Sequence, residues 1–179
     1  MLKIKIPKSE LYDEKNNVFY EVQETELQLE HSLVSISKWE SKWNKPFLSN
    51  NDKTKEQLLD YIRCMTLTQN VNPVVYKALP ASAINDINKY IEAPMTATTF
   101  REDNNKKSKE IITNEIIYYW MISYNIPFEC QKWHLNRLLT LIRVCSAKNA
   151  PNKKMSTREI MNRNRALNKA RRAQYNTRG

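Results

Sequence analysis

Glycine is almost missing. The 179-residue chain holds one, Gly179, its last residue. Tight hairpins and backbones that close on a phosphate need glycine. Its scarcity excludes glycine-rich nucleotide loops, and with them P-loop and dinucleotide-binding enzymes. It favours helices. Cysteine is also sparse: Cys64, Cys130 and Cys145 are odd in number, widely spaced and form no CxxC pair. They read as buried or half-buried free thiols of a reducing cytoplasm. The histidines are His31 and His134, with no HxxxH or HExxH pairing. Metal-ligand spacing is therefore lacking, and neither a metal nor another cofactor is expected. No stretch reaches 18 uninterrupted apolar residues, so no membrane span is expected. The first residues, "MLKIKIPKSELYDEK", lack the apolar run of a signal peptide.

What the chain does have is an uneven charge. Residues 1–147 carry 19 Lys/Arg against 18 Asp/Glu, a net of +1. Residues 148–179 carry ten Lys/Arg against one acid, Glu159, a net of +9. The sequence thus divides into a near-neutral domain over 1–147 and a basic helix or tail over 148–179. The first part is long enough for one domain with a real core.

"LKIKIP" alternates with period two, placing Leu2, Ile4 and Ile6 on one face of a strand. "VFYEVQ" and "TELQL" also read as extended, with "YDEKNN" before them as a turn. Helical patterning starts after Ser32, a suitable N-cap, and Pro46 ends it. Trp39 and Trp43 are i,i+4 neighbours there. Thr54 and Gln57 make a capping-box pattern for the next helix, with Leu58, Ile62 and Met65 as its stripe. Pro73 starts a short helix, and Ser82 is read as the cap of another that Pro94 stops. "REDNNKKSK" (101–109) is wholly polar and reads as a loop or linker. A helix then runs from about Glu110 to before Pro127. A longer one is expected from Phe128 to about Lys148, with Trp133, Leu138, Leu141, Ile142 and Cys145 inward. The pair predicts an antiparallel helical hairpin. "NAPNK" breaks the chain, and Ser156 with Glu159 opens a last, basic helix. The predicted class is α+β, mainly α-helical: a small N-terminal antiparallel sheet packed on a helix bundle, with a basic C-terminal helix.

Catalytic constellations are thin. Cys130 and His134 share a predicted helix, but nothing supports nucleophilic catalysis, and a packed thiol beside a capped histidine explains them. Glu110 and Glu115 stand among lysines as solvated carboxylates. No enzyme is expected. Trp120 and Trp133 lie on strongly apolar helices and read as core. Trp39, Trp43 and Phe47, flanked by Lys38, Lys42 and Lys45, fit either a seal over the strands or a protein-docking patch. The basic arm comprises Lys153, Lys154, Arg158, Arg163, Arg165, Lys169, Arg171 and Arg172. It fits a protein partner, a nucleic-acid phosphate backbone or a solvated tail. Tyr175 is its one ring, which weakens single-strand stacking.

One resemblance draws these segments together. "LQLEHSLVSISKWESKWNKPFL", "YIRCMT", "EIIYYWMISYNIPFECQKWHLNRLLTLIRVC" and "REIMNRNRALNKARR" resemble the tail assembly chaperones of tailed bacteriophages, over about Leu27 to Gly179. The resemblance implies a small non-enzymatic protein in the cytoplasm of the infected bacterial host. Its partner would be the tape measure protein, kept soluble while the tail tube forms, with other tail proteins or self-association as further contacts. Such chaperones are generally left out of the finished virion, and many also exist in a frameshift-extended form. Two alternatives stand beside this: a virion structural or connector protein of the tail or head-tail junction, and a nucleic-acid-binding protein using the basic helix.

Overall fold

A two-stranded ribbon forms the N-terminal part of the chain. The computed structural model describes residues 1–13, 17–49, 52–100, 111–150 and 157–176. Four strands come first: β1 (Leu2–Ile6), β2 (Ser9–Asp13), β3 (Val18–Val22) and β4 (Thr25–Leu29). β1 pairs antiparallel with β4, and β2 with β3. Leu2 stands opposite Leu29, Ile6 opposite Thr25 and Ser9 opposite Val22, so one register runs through both ladders. The ladder lapses at Pro7, which has no N–H to give. β2 is a strand that the sequence reading missed, because "SELYD" carries little alternation; "YDEKNN" thus overlaps a strand, and its residues 14–16 lie outside the described ones.

The halves of this ribbon differ in burial. Ile4, Ile6, Leu27 and Leu29 face the core, as their period-two spacing predicts. The far half exposes Tyr12, Val18 and Phe19, with Tyr12 stacked on its cross-strand partner Phe19 at 4.7 Å. The outer edge of β4 is used as well. Leu67 N donates to Gln28 O at 2.8 Å and Glu30 N to Met65 O at 2.9 Å, so the chain after the second helix joins the sheet.

Seven helices follow among the described residues. They are α1 (Leu33–Trp43), α2 (Lys55–Met65), α3 (Val74–Lys77), α4 (Ala81–Glu92), α5 (Asn114–Ser123), α6 (Leu135–Asn149) and α7 (Thr157–Tyr175). The fold is α+β and mainly helical. Ser32 caps α1, and Thr54 with Gln57 forms a full capping box on α2. Three boundaries differ from the sequence reading, the first being α5, which starts at Asn114 where about Glu110 was expected. α4 starts at Ala81 after Pro80, so Ser82 lies inside it. The helix expected from Phe128 is instead a 3₁₀ turn (Phe128–Lys132), a break at Trp133–His134, and then α6. Trp133 is extended there, and His134 bridges back to Ser32. The polar segment 101–109 and the cap Ser156 lie outside the described residues.

Asparagine does the work of the missing glycines. Asn17, Asn44, Asn70, Asn125 and Asn176 all sit near φ +50°, with Met95 as the other positive-φ residue among those described. Asparagine tolerates this left-handed region better than other residues with a Cβ. Asn44 shows the use: it ends α1 in that conformation, and its N–H donates to Glu40 O at 2.8 Å. Lack of glycine therefore limited the backbone less than the composition implied. The chain divides into two units, Met1–Ser146 and Ala147–Gly179.

Candidate protein-docking surface

The tryptophan cluster lies mostly inside the fold. Trp39 is fully buried, and its indole N–H donates to Gln57 O at 2.9 Å. Phe47 is also buried, 3.9 Å from the Tyr61 ring and 5.1 Å from Trp39, with Lys53 above its face. Trp39 and Phe47 are core residues that pack with α2, and neither presents a ring to a partner. Trp43 is half-buried, and its Nε1 donates to Asp60 Oδ2 at 2.8 Å. Asp60 also pairs with Lys42.

Glu40, between the tryptophans, is a buried carboxylate held entirely by N–H donors. Phe47 N reaches Oε1 at 2.6 Å; Asn114 N and Nδ2 reach Oε2 at 2.8 and 2.6 Å. Thr113 makes no side-chain cap on α5. Glu40 thus satisfies the first orphan N–H of α5 from another helix, where a negative charge also opposes the helix dipole favourably.

The two histidines, a hundred residues apart in sequence, meet. Their rings lie 5.1 Å apart and both are buried. His31 Nδ1 is 2.6 Å from the Tyr61 hydroxyl. Asn136 N donates to His134 Nδ1 at 3.3 Å, which leaves Nε2 to donate to Tyr90 O at 2.9 Å. Burial, with the neighbouring His134, pushes the His31 imidazole down to about 3. Burial also lowers His134, against the opposing effects of the Tyr90 carbonyl and Glu30. Burial holds the Tyr61 hydroxyl well above its usual range, so it stays protonated. Tyr90 OH donates to Glu30, whose other oxygen is 3.0 Å from the Met1 amino group. This is a hydrogen-bonded clamp that ties α2, α4 and the start of α6 to the end of β4. With both His134 nitrogens so engaged, Cys130 is a buried thiol and not its dyad partner. Among the described residues, no group of three or more His, Cys, Asp or Glu is placed to hold a metal.

Besides the tip of the ribbon, an exposed apolar surface lies on α5. Its apolar residues cover every face of the helix, and one helix in a small domain cannot bury them all. Ile117 and Met121 face the core, while Tyr119 and Ile122 are 66% and 60% exposed. Trp120 is half-buried beside them. It lines a groove of about 340 Å³ with Tyr124, Leu139, Ile142, Arg143 and Ser146. The furrow lies between α5 and α6, the pair expected to form an antiparallel helical hairpin. Trp120 lines that furrow, and Trp133 is half-buried under Arg137, 4.1 Å above its ring; both were expected in the core. Tyr119 and Ile122 escaped the sequence reading. The signal that could have found them is the absence of a polar face on "EIIYYWMIS".

Arg158, Arg163, Arg165, Lys169, Arg171 and Arg172 lie on α7, all exposed, while Lys153 and Lys154 fall outside the described residues. No described helix is long and apolar enough to cross a membrane. A scan against protein-family models and searches of curated proteins and of solved structures find no match to the chain.

Proposed function

We propose that this protein is a non-enzymatic assembly chaperone of a tailed bacteriophage, acting in the cytoplasm of the infected host. It binds helical segments of the tape measure protein and keeps them soluble until the tail tube encloses them. One observation carries the reading: α5 exposes Tyr119 and Ile122 on one side, and on another its Trp120 and Tyr124 line an open furrow with Leu139 and Ile142. Apolar side chains left exposed in this way mark an interaction site. The furrow has room for a few side chains, as the anchors of an amphipathic helix would need. Arg143 on its rim favours a helix with acidic residues beside its apolar stripe. The resemblance of the quoted segments to tail assembly chaperones supplies the identity of that helix.

Co-expression tests this. The tape measure protein is produced alone and together with the full chain, and its soluble fraction is measured after lysis. The expected result is a clear gain in soluble tape measure protein that co-purifies with the chain. Equal pelleting in both cases contradicts the proposal. So does stoichiometric recovery of the chain from finished particles, which would make it a structural component.

A further inference from the structure

We propose that α7 is a duplex-DNA-binding helix whose Arg158, Arg165, Lys169 and Arg172 hold the phosphate backbone. The spacing is the first ground. These four residues follow each other at intervals of seven, four and three, and all are exposed. At 3.6 residues per turn they fall within about 60° of one another, along roughly 21 Å of helix. The result is a cationic rail along one side of α7.

The chemistry around the rail favours nucleic acid over an acidic protein. A protein interface needs apolar or aromatic anchors at its centre. Of the exposed apolar residues on α7, Ile160 and Leu167 lie on the opposite side of the helix, about 180–200° from Arg158, and Met161 alone stands beside the rail, too little for such a centre. Flanking the rail are Asn162 on one side and Asn168 on the other, both exposed. Their amides donate to phosphates or to base edges. Arg163 and Arg171 extend the positive potential around the helix. Duplex DNA is favoured within nucleic acids. Its major groove admits an α-helix, whereas that of duplex RNA is too deep and narrow. A single strand needs stacking rings, and Tyr175 is the one aromatic residue on α7.

The test uses the full-length chain and a labelled 20-base-pair DNA duplex, followed by fluorescence anisotropy from 50 to 300 mM salt. Four neutralised phosphates give a slope of log affinity against log salt of about −3.6. The variant Arg165→Ala/Lys169→Ala is expected to weaken binding and to flatten that slope by about two. Alanine is the best helix former, so α7 persists in this variant, and circular dichroism checks it. Duplex DNA should bind more tightly than duplex RNA or single-stranded DNA of the same sequence. No binding to the duplex at 50 mM salt overturns the proposal, as does an unchanged slope in the variant. Equal or tighter binding of polyglutamate assigns α7 to an acidic protein instead, and tighter binding of either RNA or single strand assigns it to that form.

Discussion

Glu40 and His31 show how single residues hold this fold. Glu40 receives three N–H donors in a buried site, so its charge is matched to the end of α5 and the turn at Phe47. Glu40→Gln replaces one acceptor oxygen with a donor amide and sets it against an N–H. A buried donor left unpaired costs about 1–3 kcal/mol, and charged acceptors stand at the upper end, so urea unfolding should show a loss of about 3 kcal/mol. Trp39→Ala removes a fully buried ring and should cost ~3–5 kcal/mol. Trp43→Ala, at a half-buried ring, should cost clearly less in the same unfolding experiment. His31 predicts a pH effect. Its folded value lies near 3, below its unfolded value of about 6.5. The folded state therefore binds fewer protons, and stability is full above pH 6.5 and lost as pH falls toward 3. Between pH 7 and 5.5 the loss is about 1.3 kcal/mol. Urea unfolding at both values should show it, and His31→Gln should lose that increment. Equal pH dependence in both proteins would remove His31 as the cause.

At the scale of elements, much was legible. The caps of α1 and α2 follow from Ser32 and from Thr54 with Gln57, because capping is a local affair of three or four residues. The buried faces of β1 and β4 follow from alternation. What escaped depends on distant partners. β2 is made a strand by its register with β3, and the break at Trp133–His134 is fixed by the bridge from His134 to Ser32. α5 belongs to both classes: its helicity was legible, its exposed side was not. Tyr119→Gln/Ile122→Gln swaps exposed apolar side chains for good helix formers. Its thermal stability should stay within about 0.5 kcal/mol of the parent. A larger loss, read as a fall in melting temperature, would mean that these rings and chains support the fold instead of awaiting a partner. Asn44 is a parallel case. Asn44→Val should cost about 1–2 kcal/mol, because a β-branched residue fits the left-handed region poorly.

Across the whole molecule, two units carry two kinds of surface. The first, Met1–Ser146, holds the sheet, the histidine clamp and the apolar furrow; the second, Ala147–Gly179, holds the basic helix. The charge division was plain in the sequence, since it needs only counting. The candidate site was legible in part: the cations of α7 were named, whereas the rings chosen for docking, Trp39 and Phe47, turned out to be core. Aromatic residues beside lysines look alike on a surface and under one, and only the packing of α1 against α2 decides. The most direct test of the central proposal is a titration of the full chain with overlapping helical segments of the tape measure protein, by calorimetry. An amphipathic segment with an acidic flank should bind the parent protein, and at least tenfold more weakly the folded Tyr119→Gln/Ile122→Gln variant. Equal affinity for the two proteins, or no binding by any segment, would contradict the account.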